Sequence, residues 1–145
     1  MNHRLSLSKP HTDLLSDCGT YPKSARVRYR REFLTIQRRG LRVHTHSFTV
    51  VAYRDKDSNH ARMGCAVSKR VGNSVVRSRV RRLIRECFRR LQDRLSAVDF
   101  VVIAKPQAAQ CAKIGLGAVA EELAPALIKA SDRVVRKQKQ SKQNA

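Results

Sequence analysis

The stretch from Ser74 to Leu95 constrains the fold more than any other part of the chain. Its apolar residues are Val76, Val80, Leu83, Ile84, Cys87, Phe88, Leu91 and Leu95. Steps of three and four dominate, so a helix gathers them into one stripe. At ~100° per residue the stripe covers roughly 140° of the circumference. Arg79, Arg81, Arg82, Arg85, Arg89 and Arg90 fall outside that arc. One face must therefore dock on an apolar layer, and the other is an arginine comb.

Guanidinium groups bind phosphate in a bidentate way and stack on bases, which a lysine ammonium does not do. Only Glu86 and Asp93 offer acidic compensation nearby. Mutual repulsion along such a comb opposes an isolated helix, and a bound phosphate backbone would relieve it. The blander reading is a solvated basic helix, but those normally interleave Glu with Lys or Arg. The whole chain has the same bias, with 31 Lys+Arg against 11 Asp+Glu and a formal net charge of +20. Self-repulsion of that size adds nothing to folding, and its usual reason is a polyanionic partner.

The 145 residues suit one compact domain with trailing ends. Residues 1–24 read as a flexible basic extension, 25–131 as the domain and 132–145 as a basic tail that frays. No stretch approaches the ~18 consecutive apolar residues of a membrane span. The N-terminus has no apolar signal core. Cys18, Cys65, Cys87 and Cys111 are widely spaced without a C-x-x-C pair, which disfavours structural zinc and a disulfide framework. Reduced thiols in a cytoplasmic protein are the expectation.

Residues 25–39 carry a helical pattern through Val27, Arg30, Phe33, Leu34 and Ile36, with Gly40 as the stop. Residues 41–54 are β-branched and aromatic, as one strand or a strand pair. In their second half Phe48, Val50 and Ala52 point one way, and Thr49, Val51 and Tyr53 the other. A loop at 55–60 leads to a strand at 62–69, where Met63, Cys65 and Val67 share a face. Gly72 offers a backbone able to take positive φ, and Asn73 or Ser74 can cap the helix. Residues 99–104 form a short buried strand ended by Pro106. A last helix spans roughly 107–135, kinked or delayed by Pro125. The order α-β-β-β-α-β-α argues for a single-domain α+β sandwich with one sheet partly covered by helices.

Lys69, Arg70 and the Gly72–Asn73 turn lead into the N-terminus of the arginine helix. That end presents free N–H groups and the positive end of the helix dipole, which suits phosphate. An ordinary strand-to-helix turn would look the same.

The run SKRVGNSVVRSRVRRLIRECFRR (68–90) resembles the signature of the bacterial ribonuclease P protein family. Val71, Gly72 and Asn73 match its V-G-N turn, Arg77 and Arg79 its two core arginines, and Arg82 to Glu86 the residues that follow. Ser78 stands where the family usually has Asn, and Arg81 where Lys is common. RREFLTIQRRG (30–40) is similar to the family's first helix, with Phe33 at the aromatic position and Gln37 replacing a second frequent aromatic. The resemblance covers about 25–131.

The resemblance implies an α/β sandwich with a left-handed β-α-β crossover, against the general right-handed preference. It implies the protein subunit of a ribonucleoprotein that trims the 5′ leader of precursor tRNA, with catalysis by the RNA and no active site on the protein. Lys69, Arg70, Asn73, Arg77, Arg79, Arg81, Arg82 and Arg85 would contact the catalytic RNA. Phe33, Thr49, Val51 and Tyr53 would line a cleft for the single-stranded leader, where stacking and a basic groove are the expected physics. For Phe33 and Tyr53, ordinary core packing is the equal alternative. Magnesium would be bound mainly through RNA phosphates, none by the protein alone. One protein would serve each RNA, in the cytoplasm, with no membrane partner.

His44 and His46 share a strand face but lack neighbouring ligands for a metal. No Ser-His-Asp order, G-x-S-x-G or H-E-x-x-H occurs, and carboxylates are too sparse for a two-metal nuclease. Size and charge fit a ribosomal or ribosome-assembly protein equally well, and a DNA-binding architectural protein and an autonomous nuclease are further alternatives. The V-G-N-S-V-V-R-S-R run favours the ribonuclease P reading.

Overall fold

The computed structural model describes residues 22–55 and 57–144. Most of the expected N-terminal extension, and Cys18, lie outside the described residues. A short 3-10 turn at Lys23–Ala25 leads into α1 (Arg30–Arg39), β1 (Leu41–His44), β2 (Phe48–Tyr53) and β3 (Arg62–Val67). Then come α2 (Ser74–Leu91), a 3-10 turn at Gln92–Arg94, β4 (Asp99–Ala104), α3 (Ala108–Ile114) and α4 (Leu116–Asn144). The four strands form one sheet in the order β1-β2-β4-β3. β1 and β2 are an antiparallel hairpin, β2 and β4 are antiparallel, and β3 runs parallel to β4. A parallel pair needs a crossover, and α2 supplies it.

The helices are divided between the two sheet faces. α4 packs on β1 and β2, α2 packs on β3 and on α4, and α1 lies against β2 and β4 on the other side. The larger core uses Phe48, Val50, Ala52, Met63, Phe100 and Val102 from the sheet, with Val80, Ile84, Cys87, Phe88 and Leu91 from α2. Every member of the anticipated stripe is in or against it: Leu95 is buried, and Val76 and Leu83 pack at its margin. Phe88 meets Phe100 edge to face, with ring centroids 6.3 Å apart, a favoured aromatic geometry. The smaller core comprises Val27, Ile36, Val51 and Val101, flanked by Phe33, Tyr53 and Ile103.

Three expectations are corrected. The first helix begins at Arg30, not Ala25. Residues 25–28 alternate, with Ala25 and Val27 buried and Arg26 and Arg28 exposed, a period-two pattern that belongs to extended backbone. Val27 N–H accordingly donates to the Met63 carbonyl at 3.1 Å, alongside β3. Second, Pro125 does not break the last helix. Leu123, Ala124, Ala126 and Leu127 are all buried around it, and that packing outweighs the lost backbone bond. The break falls at Gly115, whose φ of +128° is the one positive value among the described residues and favours glycine. Third, the tail expected to fray continues as helix to Asn144, with Val134 buried against the core.

The β1–β2 turn is tied to α4 by one carboxylate. Glu122 accepts from the Ser47 N–H at 2.9 Å, the Ser47 hydroxyl at 3.0 Å and the Thr45 hydroxyl at 3.1 Å. Ser47 is buried. Glu122→Ala removes the acceptor of the Ser47 N–H and hydroxyl, while the Thr45 hydroxyl still reaches the Phe48 carbonyl at 3.1 Å, so chemical denaturation should show a loss of about 1–3 kcal/mol.

Candidate nucleic-acid interface

α2 is positioned by its buried stripe and by its cap. Asn73 Oδ1 accepts from the Val76 N–H at 3.0 Å, which satisfies one of the orphan donors of the first turn. Gly72 does not adopt the positive φ anticipated for it. Its value is spatial: a Cβ there would stand 2.9 Å from Val76 Cβ, so a side chain would push the turn away from the helix. Lys69 and Arg70 are exposed just before this turn.

The comb is uneven in its commitments. Arg79, Arg82 and Arg85 are exposed, whereas Arg77 and Arg81 are half-buried. Arg79 Nε–H donates to the Ala112 carbonyl at 3.1 Å, which fixes that side chain against the end of α3. Arg77 Nε is buried and has no hydrogen-bond partner among the described residues. A buried donor left without an acceptor is costly. Arg81 and Arg85 lie beside Cys65 on β3; their charges favour the thiolate, but burial dominates and pushes the Cys65 thiol up to about 11. Burial likewise pushes Cys87 up to about 12. These thiols are inert packing groups rather than nucleophiles.

Along its exposed side α2 forms an open groove of about 710 Å³ lined by Val75, Ser78, Arg79, Arg82, Glu86 and Arg90, with Leu83 at its edge. Val75 is 75% exposed and was absent from the sequence-based set. Its one available signal is its position, an apolar residue next to the stripe but off it. Glu86, the one carboxylate of α2, pairs with Arg89 and with Arg90 Nε at 2.8 Å. Arg89 above all, together with Arg90, holds the Glu86 carboxyl down at about 2.

The second candidate surface lies on the other sheet face, under α1. The register places His44, Thr49, Ile103 and Ala66 in one row, and Arg42, Val51, Val101 and Gly64 in the next. α1 crosses the second row. The Phe33 ring sits over Gly64, where a Cβ would come within 2.3 Å of it. Phe33 and Tyr53 are half-buried, so each packs and still keeps some exposed surface. Thr49 is largely buried and lies 3.2 Å from His44 Nδ1 through its hydroxyl. Val51 corrects its assignment as a cleft residue: it has no exposed surface and belongs to the core beneath α1. The open row beside it, with exposed His44 and half-exposed Ile103 and Ala66, went unread because it exists only once the register is known.

α1 is held to the sheet by ions as well as apolar contact. Arg62 on β3 donates to both Asp99 carboxylate oxygens, at 2.9 and 2.8 Å. The same guanidinium lies 2.8 Å from a Glu32 oxygen. The Asp99 and Glu32 carboxylates hold the Arg62 pKa well above its ordinary value. Among the described residues no group of three or more His, Cys, Asp or Glu side chains could hold a metal. No helix there is long and apolar enough to cross a membrane.

Comparison with known proteins adds an independent line. The family model described as Ribonuclease P matches residues 21–131. The chain is 46% identical over 87 residues to the ribonuclease P protein component of Syntrophus aciditrophicus, covering 59% of this chain and 72% of that one. With the component of Desulfovibrio desulfuricans it shares 43% over 108 residues, covering 73% and 82%. The solved Staphylococcus aureus RNase P protein superposes with a TM-score of 0.66 at 30% identity, covering 73% of this chain and 98% of that one. The Thermotoga maritima protein gives 0.65 at 28%, covering 72% and 96%.

The depressed Glu86 carboxyl has a pH consequence. Its folded pKa lies near 2, below the ordinary value of 4.5. The stabilisation is therefore complete above about pH 4.5 and fades as pH falls toward 2. The half-exposed pair is screened by solvent, so the effect is small. Urea titrations of wild type and Glu86→Gln should differ near pH 6 and converge near pH 2.

Proposed function

The chain belongs to the ribonuclease P protein component family, and on that premise we propose how it serves a ribonuclease P that matures the 5′ end of tRNA. α2 and its entry turn bind the catalytic RNA, and the α1 side of the sheet holds the single-stranded leader of the precursor. The observation that carries the reading is the open groove along α2, lined by Arg79, Arg82 and Arg90 with Glu86 as its one carboxylate.

Binding proceeds in two layers. Lys69, Arg70 and the N–H groups at the start of α2 meet phosphates at the positive end of the helix dipole. Arg77, Arg79, Arg81, Arg82 and Arg85 extend the contact along the helix, where guanidinium forks match phosphate geometry. Asn73 serves through its cap, which fixes the direction of α2. On the other face Phe33 and Tyr53 offer partly exposed rings for stacking, and Thr49 lies in the floor of the open row; Val51 supports that floor from beneath.

The chemistry belongs to the RNA in this reading. Magnesium is assigned to RNA phosphates, and no step runs through a protein-bound metal. The protein's part is to screen repulsion between two polyanions, so that less magnesium is needed and a wider set of precursors is used. One protein serves each RNA, in the cytoplasm.

The test is reconstitution at low magnesium with a bacterial ribonuclease P RNA and a precursor tRNA. Cleavage at the mature 5′ end should require both components, and no gain over RNA alone would overturn the reading. Replacing Arg77, Arg79 and Arg82 together by Gln should weaken RNA binding and flatten its salt dependence, each lost phosphate contact removing ~0.7–0.9 from the log–log slope. An unchanged slope would move the binding surface elsewhere. Phe33→Ala should weaken precursor tRNA more than mature tRNA; equal losses would assign Phe33 to packing alone.

A further inference from the structure

The C-terminal half of α4 lies beyond residues 21–131, the part shared with the family, and its sequence opposes an independent helix. Arg133, Arg136, Lys137, Lys139 and Lys142 repeat at spacings of three and four, with Asp132 the one nearby acid. Like charges at those spacings repel on a helix surface. Two anchors hold the segment in place. Val134 is buried, and Gln138 Nε2 donates to the Arg54 carbonyl at 3.0 Å, just past the end of β2.

This docking builds a groove of about 180 Å³ between three elements. Its walls carry Arg39 from the last turn of α1, Tyr53 and Arg54 from the end of β2, and Lys137, Gln138 and Ser141 from α4. No carboxylate lines it. Cations near a helix C-terminus often serve the dipole, but that effect is confined to the last turn. Lys137 stands before it, because the last-turn cation of α4 is Lys142. The dipole therefore does not account for a cation held opposite Arg39 and Arg54.

We propose that this groove is a second single-strand subsite, which takes the 5′ leader upstream of the nucleotides held beside Phe33. The proposal rests on the leader-binding reading above. Tyr53 joins the two places: it packs with Phe33 around the small core under α1 and also lines the groove. An aromatic ring flanked by cations is the physics of single-strand binding, where bases stack and phosphates are neutralised. The leader is favoured over the catalytic RNA because Arg39 and Tyr53 join the groove to α1 and its small core, and no arginine of α2 lines it; Leu41, Ala52 and Val134 floor it from the side on which α4 packs.

The experiment compares two precursor tRNAs, one with a short leader and one with a long leader, binding to the holoenzyme reconstituted with ribonuclease P RNA. The variant replaces Arg39, Arg54 and Lys137 by Gln. Binding of the long-leader precursor should weaken, and its log–log salt slope should fall by roughly 2, from three contacts at ~0.7 each on a single strand. Short-leader binding and cleavage should be unchanged. A control that replaces Arg30 and Arg31 by Gln, on the outward face of α1, should leave the leader-length effect intact. Equal loss for both precursors, or weakened assembly with the catalytic RNA, would overturn the proposal in favour of an RNA-scaffold contact. No loss for either precursor would overturn it outright. Wild-type protein that fails to stimulate the RNA would instead sink the reading beneath it. If the triple variant melts below the wild type, Lys137→Glu alone, at an exposed position, decides the same question.

Discussion

The structure depends on the burial of one helical stripe under a sheet that could not otherwise carry it. β3 and β4 are parallel neighbours, so the chain must travel the length of the sheet between them, and α2 makes that journey. Val80, Ile84, Cys87, Phe88 and Leu91 are all fully covered in doing so. At about 1.5–3 kcal/mol for each large aliphatic or aromatic side chain, this burial offsets the repulsion of the arginines on the opposite side. The same helix is therefore the main fastener of the fold and the most highly charged element in it. Neither property is separable from the other, because the stripe alone decides which way the guanidinium groups face.

α4 completes that layer. It reaches from the β1–β2 turn, held by Glu122, past Ser131, whose hydroxyl accepts from the Ser96 N–H at 3.1 Å, to the end of β2 at Arg54. Ser96 precedes β4, so one helix touches both the entry of the central strand and the turn of the outer hairpin. A strongly basic surface can be stable on such a scaffold, since its apolar contacts carry no charge of their own.

What could be read from the sequence was what has a period. The α2 stripe, the alternation of β2 around Phe48, Val50 and Ala52, and the β3 face of Met63, Cys65 and Val67 all came through, because each repeats at the spacing of its own element. The V-G-N turn and the arginines that follow were visible for a different reason, as a specific local run. Strand order was not visible, and the cleft followed from it: the row of His44, Thr49, Ile103 and Ala66 exists only because β4 inserts between β2 and β3. Val51 was misplaced for the same reason, since alternation tells which face a residue occupies but not what lies on that face. The helix end at Gly115 was hidden by Pro125, the stronger breaker on paper, because the surrounding Leu and Ala side chains decide whether a proline interrupts a helix.

α1 is fastened differently from the rest. Within it Ile36 alone is fully buried; the remaining hold comes from the Phe33 ring on Gly64 and the carboxylates gripping Arg62. Segments with so little covered apolar surface occupy the low end of a protein's local stability range and open without global unfolding. Amide hydrogens of α1 belong, on that ground, to a faster-exchanging class than those of α2. If the proposed leader site lies there, a gap that widened at the expense of one small core, while the larger core stayed shut, would take purines and pyrimidines alike. On that reading, tolerance for strands of unlike sequence would be a property of where the protein is weakest.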